Sequence, residues 1–407
     1  MLNRPIIKLL LSKNYGLFYL GWAISLLGNN LSRVALPILI YQKTGSSLAT
    51  GSAFALQELP SAIFGPLLGA LADRWNRKLM IIFADIGRAL LLLVIILVQD
   101  PPLIFASIFM IGILNALYFP VRVAILPEIV PRDLFPTVVS LHGATQQIAQ
   151  IVGPSIAAII ISLTGPKLAL VMDMISFAIG AIVTTMVFIP VQKTSKPNNI
   201  IVDIKDGVSY LLNNKLIRML NFFWIILSFG FGGINVLLLF YLVEIKIETS
   251  YYGLLMSLIT VGMFVGIVFG PKVKENYKRI YIFFTPVVFG LCFCILKFNI
   301  GFLGLLIIVT ILGFLYGLFN VIASVIFGQN IPNEIRGRVY ATATTFTTLA
   351  YSISSFSSGA LEKNVKISNI FLIIGIIIVA ISTIISLKHY NLFSIKRIEN
   401  VEKKMQI

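Results

Sequence analysis

The chain has 407 residues, 58% of them hydrophobic and only 12% charged, with a mean hydropathy of +0.95. A soluble domain is about 45–50% apolar and about 25% charged, so a water-soluble enzyme of this length could not cover its surface. Lys and Arg outnumber Asp and Glu by 32 to 16, an excess that points either to nucleic acid or to the inner loops of a membrane protein.

A crossing of the ~30 Å hydrocarbon core takes roughly 20 apolar residues. Twelve stretches qualify: 15–41, 46–72, 79–98, 103–127, 137–163, 167–189, 218–242, 251–271, 280–297, 302–328, 338–360 and 369–387. Runs this long are helices, since backbone in lipid must satisfy its own hydrogen bonds. The first fourteen residues hold Arg4, Lys8 and Lys13 but no short apolar stretch with a small-residue cleavage site, so no cleaved signal peptide is expected. With the N-terminus inside, inner segments hold 23 basic residues. Outer segments hold six, namely Lys43, Lys167, Lys246, Lys297, Lys363 and Lys366. That bias orients the chain with both termini in the cytoplasm and explains the +16 without nucleic acid. Cys292 and Cys294 lie inside an apolar run and suit neither a disulfide framework nor a metal site.

The long inner stretch 190–217 divides the spans six and six. Gly65 and Gly69 end span 2, and Gly266 and Gly270 end span 8. Val130-Pro-Arg-Asp133 follows span 4, and Ile331-Pro-Asn-Glu334 follows span 10. Both landmarks recur at an offset of 201. The reading is a duplicated six-span unit, its copies related by an axis along the membrane normal. The expected fold is all-α and integral to the membrane: twelve transmembrane helices in two parallel-repeat six-helix bundles. The expected domains are an N-terminal bundle (1–189), a cytoplasmic linker (190–217) and a C-terminal bundle with its tail (218–407). The linker begins polar, Lys193-Thr-Ser-Lys-Pro-Asn-Asn199, then places Ile201, Ile204, Val208, Leu211 and Leu212 at helical spacing. Asp203, Lys205 and Asp206 fall on the other side. That pattern predicts an amphipathic helix at the inner surface.

Span 2 runs into Gly69-Ala-Leu-Ala-Asp73-Arg74-Trp-Asn-Arg77-Lys78. This resembles the signature loop of the major facilitator superfamily, Gly-x-Leu-x-Asp-Arg-x-x-Arg-Lys, between helices 2 and 3. Further stretches resemble the macrolide-efflux and enterobactin-exporter-like branch. They are Leu59-Pro60 with Phe64-Gly65-Pro66, Asp85-x-x-Arg88, Arg122-Val-Ala-Ile-Leu-Pro-Glu128, Asp206-Gly-Val-Ser-Tyr-Leu211 and Pro332-x-Glu-x-Arg336-Gly-Arg338. Gly153-Pro154 in span 5 is similar to the antiporter motif Gly-x-x-x-Gly-Pro, with Ala149 in place of the first glycine. The resemblance implies alternating access and proton-coupled export of a small molecule by a monomer, with no cofactor beyond the proton gradient. It also implies that Asp73 latches onto Arg77, Arg336 or Arg338. The second half departs from the pattern, because Lys274 stands at the repeat equivalent of Asp73.

Six ionisable groups lie at membrane depth: Arg33, Glu58, Asp85, Arg88, Arg122 and Asp173. Each unpaired charge there costs roughly 2.5–3.5 kcal/mol on insertion scales, so pairing is expected. Asp85 and Arg88 form an i,i+3 pair on one helix, and Arg122 is expected to join them or Glu128. Arg33 and Glu58 are expected at matched depth, ~11 Å below the outer surface. Either they form a static pair, or Glu58, with Asp173 as a further candidate, takes a proton when Arg33 is drawn away. Polar candidates for a substrate cavity are Asn29, Asn30, Gln57, Asn115, Tyr118, Gln146 and Gln150 in the first half and Asn235, Tyr316 and Asn320 in the second. His142 is read as interfacial. The expected function is efflux of an amphipathic or hydrophobic small molecule, such as a drug, a macrolide-like compound or a siderophore. An importer or lipid flippase on the same scaffold stays open. A membrane enzyme or sensor would need a clustered catalytic set or a soluble domain that the sequence lacks.

Overall fold

The computed structural model describes residues 9–72, 75–189, 200–298 and 300–389. Asp73, Arg74, the polar start of the linker and the C-terminal tail lie outside the described residues. In chain order the helices are α1 (Lys13–Thr44), α2 (Ser47–Ala72), α3 (Arg77–Leu97), α4 (Pro101–Ile129), α5 (Phe135–Thr164), α6 (Pro166–Met186), α7 (Ile200–Asn213), α8 (Lys215–Glu244), α9 (Tyr251–Phe269), α10 (Glu275–Ile295), α11 (Gly301–Gln329), α12 (Arg336–Glu362) and α13 (Ile367–His389). Among the described residues, ten of these are long and apolar enough to cross a membrane. The other two of membrane length are α2 and α12. The latter carries ten Ser and Thr, which it can hold because it lies between protein neighbours, with Ser355 donating to the Gly232 carbonyl at 3.0 Å.

Local chemistry sets the helix ends. Asn76, Asp100 and Asn214 accept backbone N–H bonds at the starts of α3, α4 and α8, satisfying donors that have no intrahelical partner. α1 ends on Gly45, whose φ of 61° closes the last turn onto the Tyr41 carbonyl, a conformation open to glycine at little cost.

The helix pairing repeats. In the first half α1 packs on α5 and α6, α2 on α4, and α3 on α4 and α6. In the second half α8 packs on α12 and α13, α9 on α11, and α10 on α11 and α13. The close approaches repeat too. A Cβ on Gly112 would strike the Gln57 carbonyl, and one on Gly313 would strike the Ile259 carbonyl. The twelve membrane-length helices therefore form two six-helix bundles of like plan. Across the bundles, α2 packs on α12 and α5 on α9.

The two ends of the molecule differ. We call the end holding the start of α1 the near end and the end holding Gly45 and Gly165 the far end. At the far end Ser47 donates to the Gly359 carbonyl at 3.0 Å and to Glu362 at 2.6 Å, and Tyr41 meets Phe240 edge-on. A Cβ on Gly51 would strike the Ser355 carbonyl, and one on Gly253 would strike the Pro154 carbonyl. Gly65, Gly143 and Gly337, at the near ends of α2, α5 and α12, have nothing within 4 Å of an added Cβ. The open space around Gly65 is local, since Leu68 one turn on packs against the core of the first bundle.

The linker helix α7 is present where the periodicity placed it, with Leu211 buried in the core and its two aspartates drawn to α12. Arg338 holds Asp203 at 2.8 Å and Asp206 at 2.9 Å, while Val202, Ile204 and Leu212 are exposed.

Candidate functional site

The motif that follows span 2 fastens helices together. Arg77 pairs with Glu128 of α4 and also donates to the Ala124 carbonyl at 3.1 Å. Lys78 donates to the carbonyls of Thr185 and Val187 at 2.7 and 2.8 Å, a cation at the C-terminal end of α6 where the helix dipole favours it. Arg338 engages α7, and Arg336 donates to the Ile331 carbonyl at 3.2 Å. The expected partner of these cations, Asp73, lies outside the described residues, as does Arg74.

Asp85 and Arg88 are 1% and 2% exposed and pair with each other, as their spacing implied. Arg88 also donates to the Ala84 carbonyl at 3.2 Å and to Asn115 at 3.0 Å. Its guanidinium lies 4.2 Å from the ring centres of both Tyr118 and Phe177. This fixes the cation on every side, and it places Asn115 and Tyr118 around Arg88. Gly180 of α6 makes room, since a Cβ there would stand 3.3 Å from the Asp85 carboxylate.

Arg122 joins neither Asp85 and Arg88 nor Glu128, which corrects the sequence expectation. It stacks over the Trp22 indole at 4.1 Å and bonds His142 Nδ1 at 3.1 Å. His142 is buried rather than interfacial. Its ring lies parallel to Trp22 at 4.4 Å, and its Nε2 bonds the Tyr15 hydroxyl at 3.2 Å. Tyr19 closes the cluster through Thr145 at 2.6 Å. Because the guanidinium can only donate, Nδ1 must accept and Nε2 carries the hydrogen. Sequence reasoning missed this cluster, although Tyr15, Tyr19 and Trp22 fall four and three residues apart, on one face of α1.

Asp173 is buried and accepts from the Ser176 hydroxyl at 3.2 Å. With Asn29, Ser32, Gln57 and Asn115 it lines a cavity of about 20 Å³, room for about one water. Asn30 bonds its own helix at the Leu26 carbonyl and packs on Gly153, whose added Cβ would lie 2.5 Å from Asn30 Cβ. Pro154 sits where α5 crosses Gly253 of α9. Asn235 is likewise turned to its own helix, at the Phe231 carbonyl. Asn320 accepts from Ser324 at 3.4 Å, and Tyr316 stands edge-on to Phe231 at 4.3 Å. Gln146 and Gln150 are half-buried on α5.

Arg33 and Glu58 behave differently from every other charge in the spans. Each lies eleven residues from the far end of its helix, ~16 Å deep at 1.5 Å per residue. That is deeper than the sequence suggested, because α1 runs on to Thr44. Both side chains are exposed. Arg33 lies within electrostatic range of Glu58 on α2, Tyr252 on α9 and Tyr351 on α12, so it faces the space between the bundles. The two charges make no ion pair and no hydrogen bond among the described residues. The static pair left open by the sequence is therefore not formed in this conformation.

The comparisons with known proteins follow the same outline. The sequence profile of the Major Facilitator Superfamily matches residues 18–355 and again 228–389. The chain is 25% identical over 388 residues to macrolide efflux protein A of Streptococcus pyogenes, covering 90% of this chain and 94% of that one. It is 24% identical over 374 residues to the putative bacilysin exporter BacE of Bacillus subtilis, covering 89% and 90%. Among solved structures it resembles the nucleoside transporter NupG (D323A mutant), with a TM-score of 0.74 at 16% identity over 93% of this chain and 100% of that one.

Proposed function

The chain belongs to the Major Facilitator Superfamily, and on that premise we propose that this multi-pass transporter exports an amphipathic small molecule from the cell by proton-coupled alternating access. The near end, which holds the start of α1 and the end of α13, is cytoplasmic by the basic count. The observation that carries this reading is the placing of the contacts between bundles. Those described gather at the far end, above Arg33 and Glu58, which stand exposed at mid-depth. A substrate entering from the near end meets those two charges first. A carboxylate so placed can release its substrate by taking a proton, because losing its charge removes what held the ligand. Export is favoured over import by the efflux relatives, one of them matched over nine-tenths of both chains. Asp173 and the latch role of Asp73 remain parts of the proposal.

The test is substrate-induced proton release from purified protein in proteoliposomes, with a macrolide as the probe. Wild type releases protons on macrolide addition, and Glu58→Gln, which keeps the shape and removes the charge, releases none. Proton release from Glu58→Gln equal to wild type would overturn the role of Glu58. Macrolide moving down its own gradient at a rate indifferent to an imposed pH gradient would overturn coupling altogether.

A further inference from the structure

Buried charges in this bundle are normally engaged. Asp85 meets Arg88, Glu128 meets Arg77, Asp173 holds Ser176, and Arg122 holds His142 and Trp22. Arg33 and Glu58 have opposite charge, equal depth and long side chains, and they lie in each other's field. A pair this exposed gains little by closing into contact, so little holds it against a ligand that engages both groups. It has not collapsed, and both groups are exposed toward the other bundle. The guanidinium keeps its N–H donors free, and the Glu58 carboxyl makes no bond of its own, so it can give up its proton as a ligand arrives and then accept from it.

We infer that Arg33 and Glu58 form a two-pronged site for a zwitterion, Arg33 taking an anionic group such as a carboxylate and Glu58 a cationic amine. The inference rests on the transporter reading above and narrows its substrate class. A cation alone would leave Arg33 uncompensated, and an anion alone would leave Glu58 so. A zwitterion satisfies both through charge-assisted hydrogen bonds, and the loaded site stays neutral. Neutrality matters for a carrier, since each uncompensated charge at this depth is costly. The facing side offers one partly exposed aromatic ring, Tyr351, which lies within electrostatic range of both Arg33 and Glu58. The ligand is therefore an amphiphile whose two charges sit near one another and whose apolar portion meets tyrosine.

Three probes of matched size separate the possibilities: the dipeptide Phe-Phe, its amide (a cation) and its N-acetyl derivative (an anion). Binding to the purified full chain is measured by calorimetry. The dipeptide is expected to bind about ten- to a hundred-fold tighter than either derivative, the worth of one charge-assisted contact. In Glu58→Gln the dipeptide should bind no better than the N-acetyl derivative. In Arg33→Gln it should bind no better than the amide, and Arg33→Lys should restore part of the preference. Amide binding as tight as that of the dipeptide would establish a simple cation site and overturn the inference. So would no binding of the dipeptide up to about 1 mM. Either result leaves the export reading standing if macrolide, a lone cation that Glu58 alone would hold and so a weaker ligand than a zwitterion, still drives proton release.

Discussion

Closure of the far end depends on glycine at the crossing of α2 and α12, and adding one methyl group there tests it. A Cβ on Gly359 would stand 2.5 Å from the Ser47 carbonyl oxygen, 3.1 Å from its carbon and 3.2 Å from Gly51 Cα. Ordinary contact begins at 3.4 Å, so the two backbones must part by about 0.9 Å. No flexible side chain can absorb this, because both surfaces are helix backbone. The same parting stretches the Ser47 bonds to Gly359 and Glu362. Overpacking of this kind costs about 1–3 kcal/mol, which moves a two-state equilibrium about 5–150-fold. Gly359→Ala should therefore populate a conformation with the far end open. The assay is electron–electron spin distance measurement between labels on Leu48 and Leu361, which are 40% and 42% exposed. Cys292 and Cys294 are replaced by Ser. Gly65→Ala is the control, because its methyl meets nothing within 4 Å. A distance distribution in Gly359→Ala identical to wild type, or an equal widening in the control, would refute the argument.

Three further outcomes follow from named contacts. His142→Ala leaves the Arg122 guanidinium with only the Trp22 face and should destabilise the protein by about 1–3 kcal/mol. It should lower the melting temperature in detergent, with His142→Gln losing less. Arg338→Gln frees Asp203 and Asp206, and because the groups are about a third exposed the loss is at most about 1 kcal/mol. Hydrogen exchange over residues 200–213 should quicken in that variant, while added salt should produce the same effect in wild type. For orientation, an impermeant maleimide added to whole cells should label Lys167→Cys and spare Gln329→Cys. The opposite pattern would invert the molecule in the membrane.

The helices were legible because their causes are local. Apolar length marks each span, and Asn76, Asp100 and Asn214 mark where the polypeptide can begin a helix. Contacts along one helix were legible for the same reason, as with Asp85 and Arg88. Contacts between helices were not. Nothing in the spacing of Arg122 and His142 tells that α4 and α5 bring them together beside Trp22. The amphipathic linker was read correctly as a helix. Its contacts depended on Arg338, a cation far along the chain that draws Asp203 and Asp206 to α12. The Arg33 and Glu58 pair could be foreseen as neighbours from their depth alone. That they stay apart is a property of the space between the bundles, which no sequence period encodes.

The described glycines of α2, α5, α9 and α12 that do not pack within their own bundle fall into two groups, and the difference yields a last prediction. Gly51, Gly253 and Gly359 are pressed against backbone of the opposite bundle at the far end, while Gly65, Gly143 and Gly337 meet nothing at the near end. Helix-interior glycine costs roughly 1 kcal/mol relative to alanine, a cost with no packing return at the near end in this conformation. The return must come from the other one. If the bundles rock so that the near ends close, α2 and α5 need the same bare backbone there that α2 and α12 use at the far end. Gly65→Leu should then do the opposite of Gly359→Ala: the far end stays shut, the near end stays open, and transport is slowed while binding from the near side is retained. Spin labels on Val139 and Asn333, both exposed, read the near-end separation directly. Wild type should gain a shorter-distance population when an outward-directed substrate gradient drives turnover, and Gly65→Leu should not. A Gly65→Leu protein that closes its near end and transports at the wild-type rate would show that the empty space around Gly65 is incidental to the cycle.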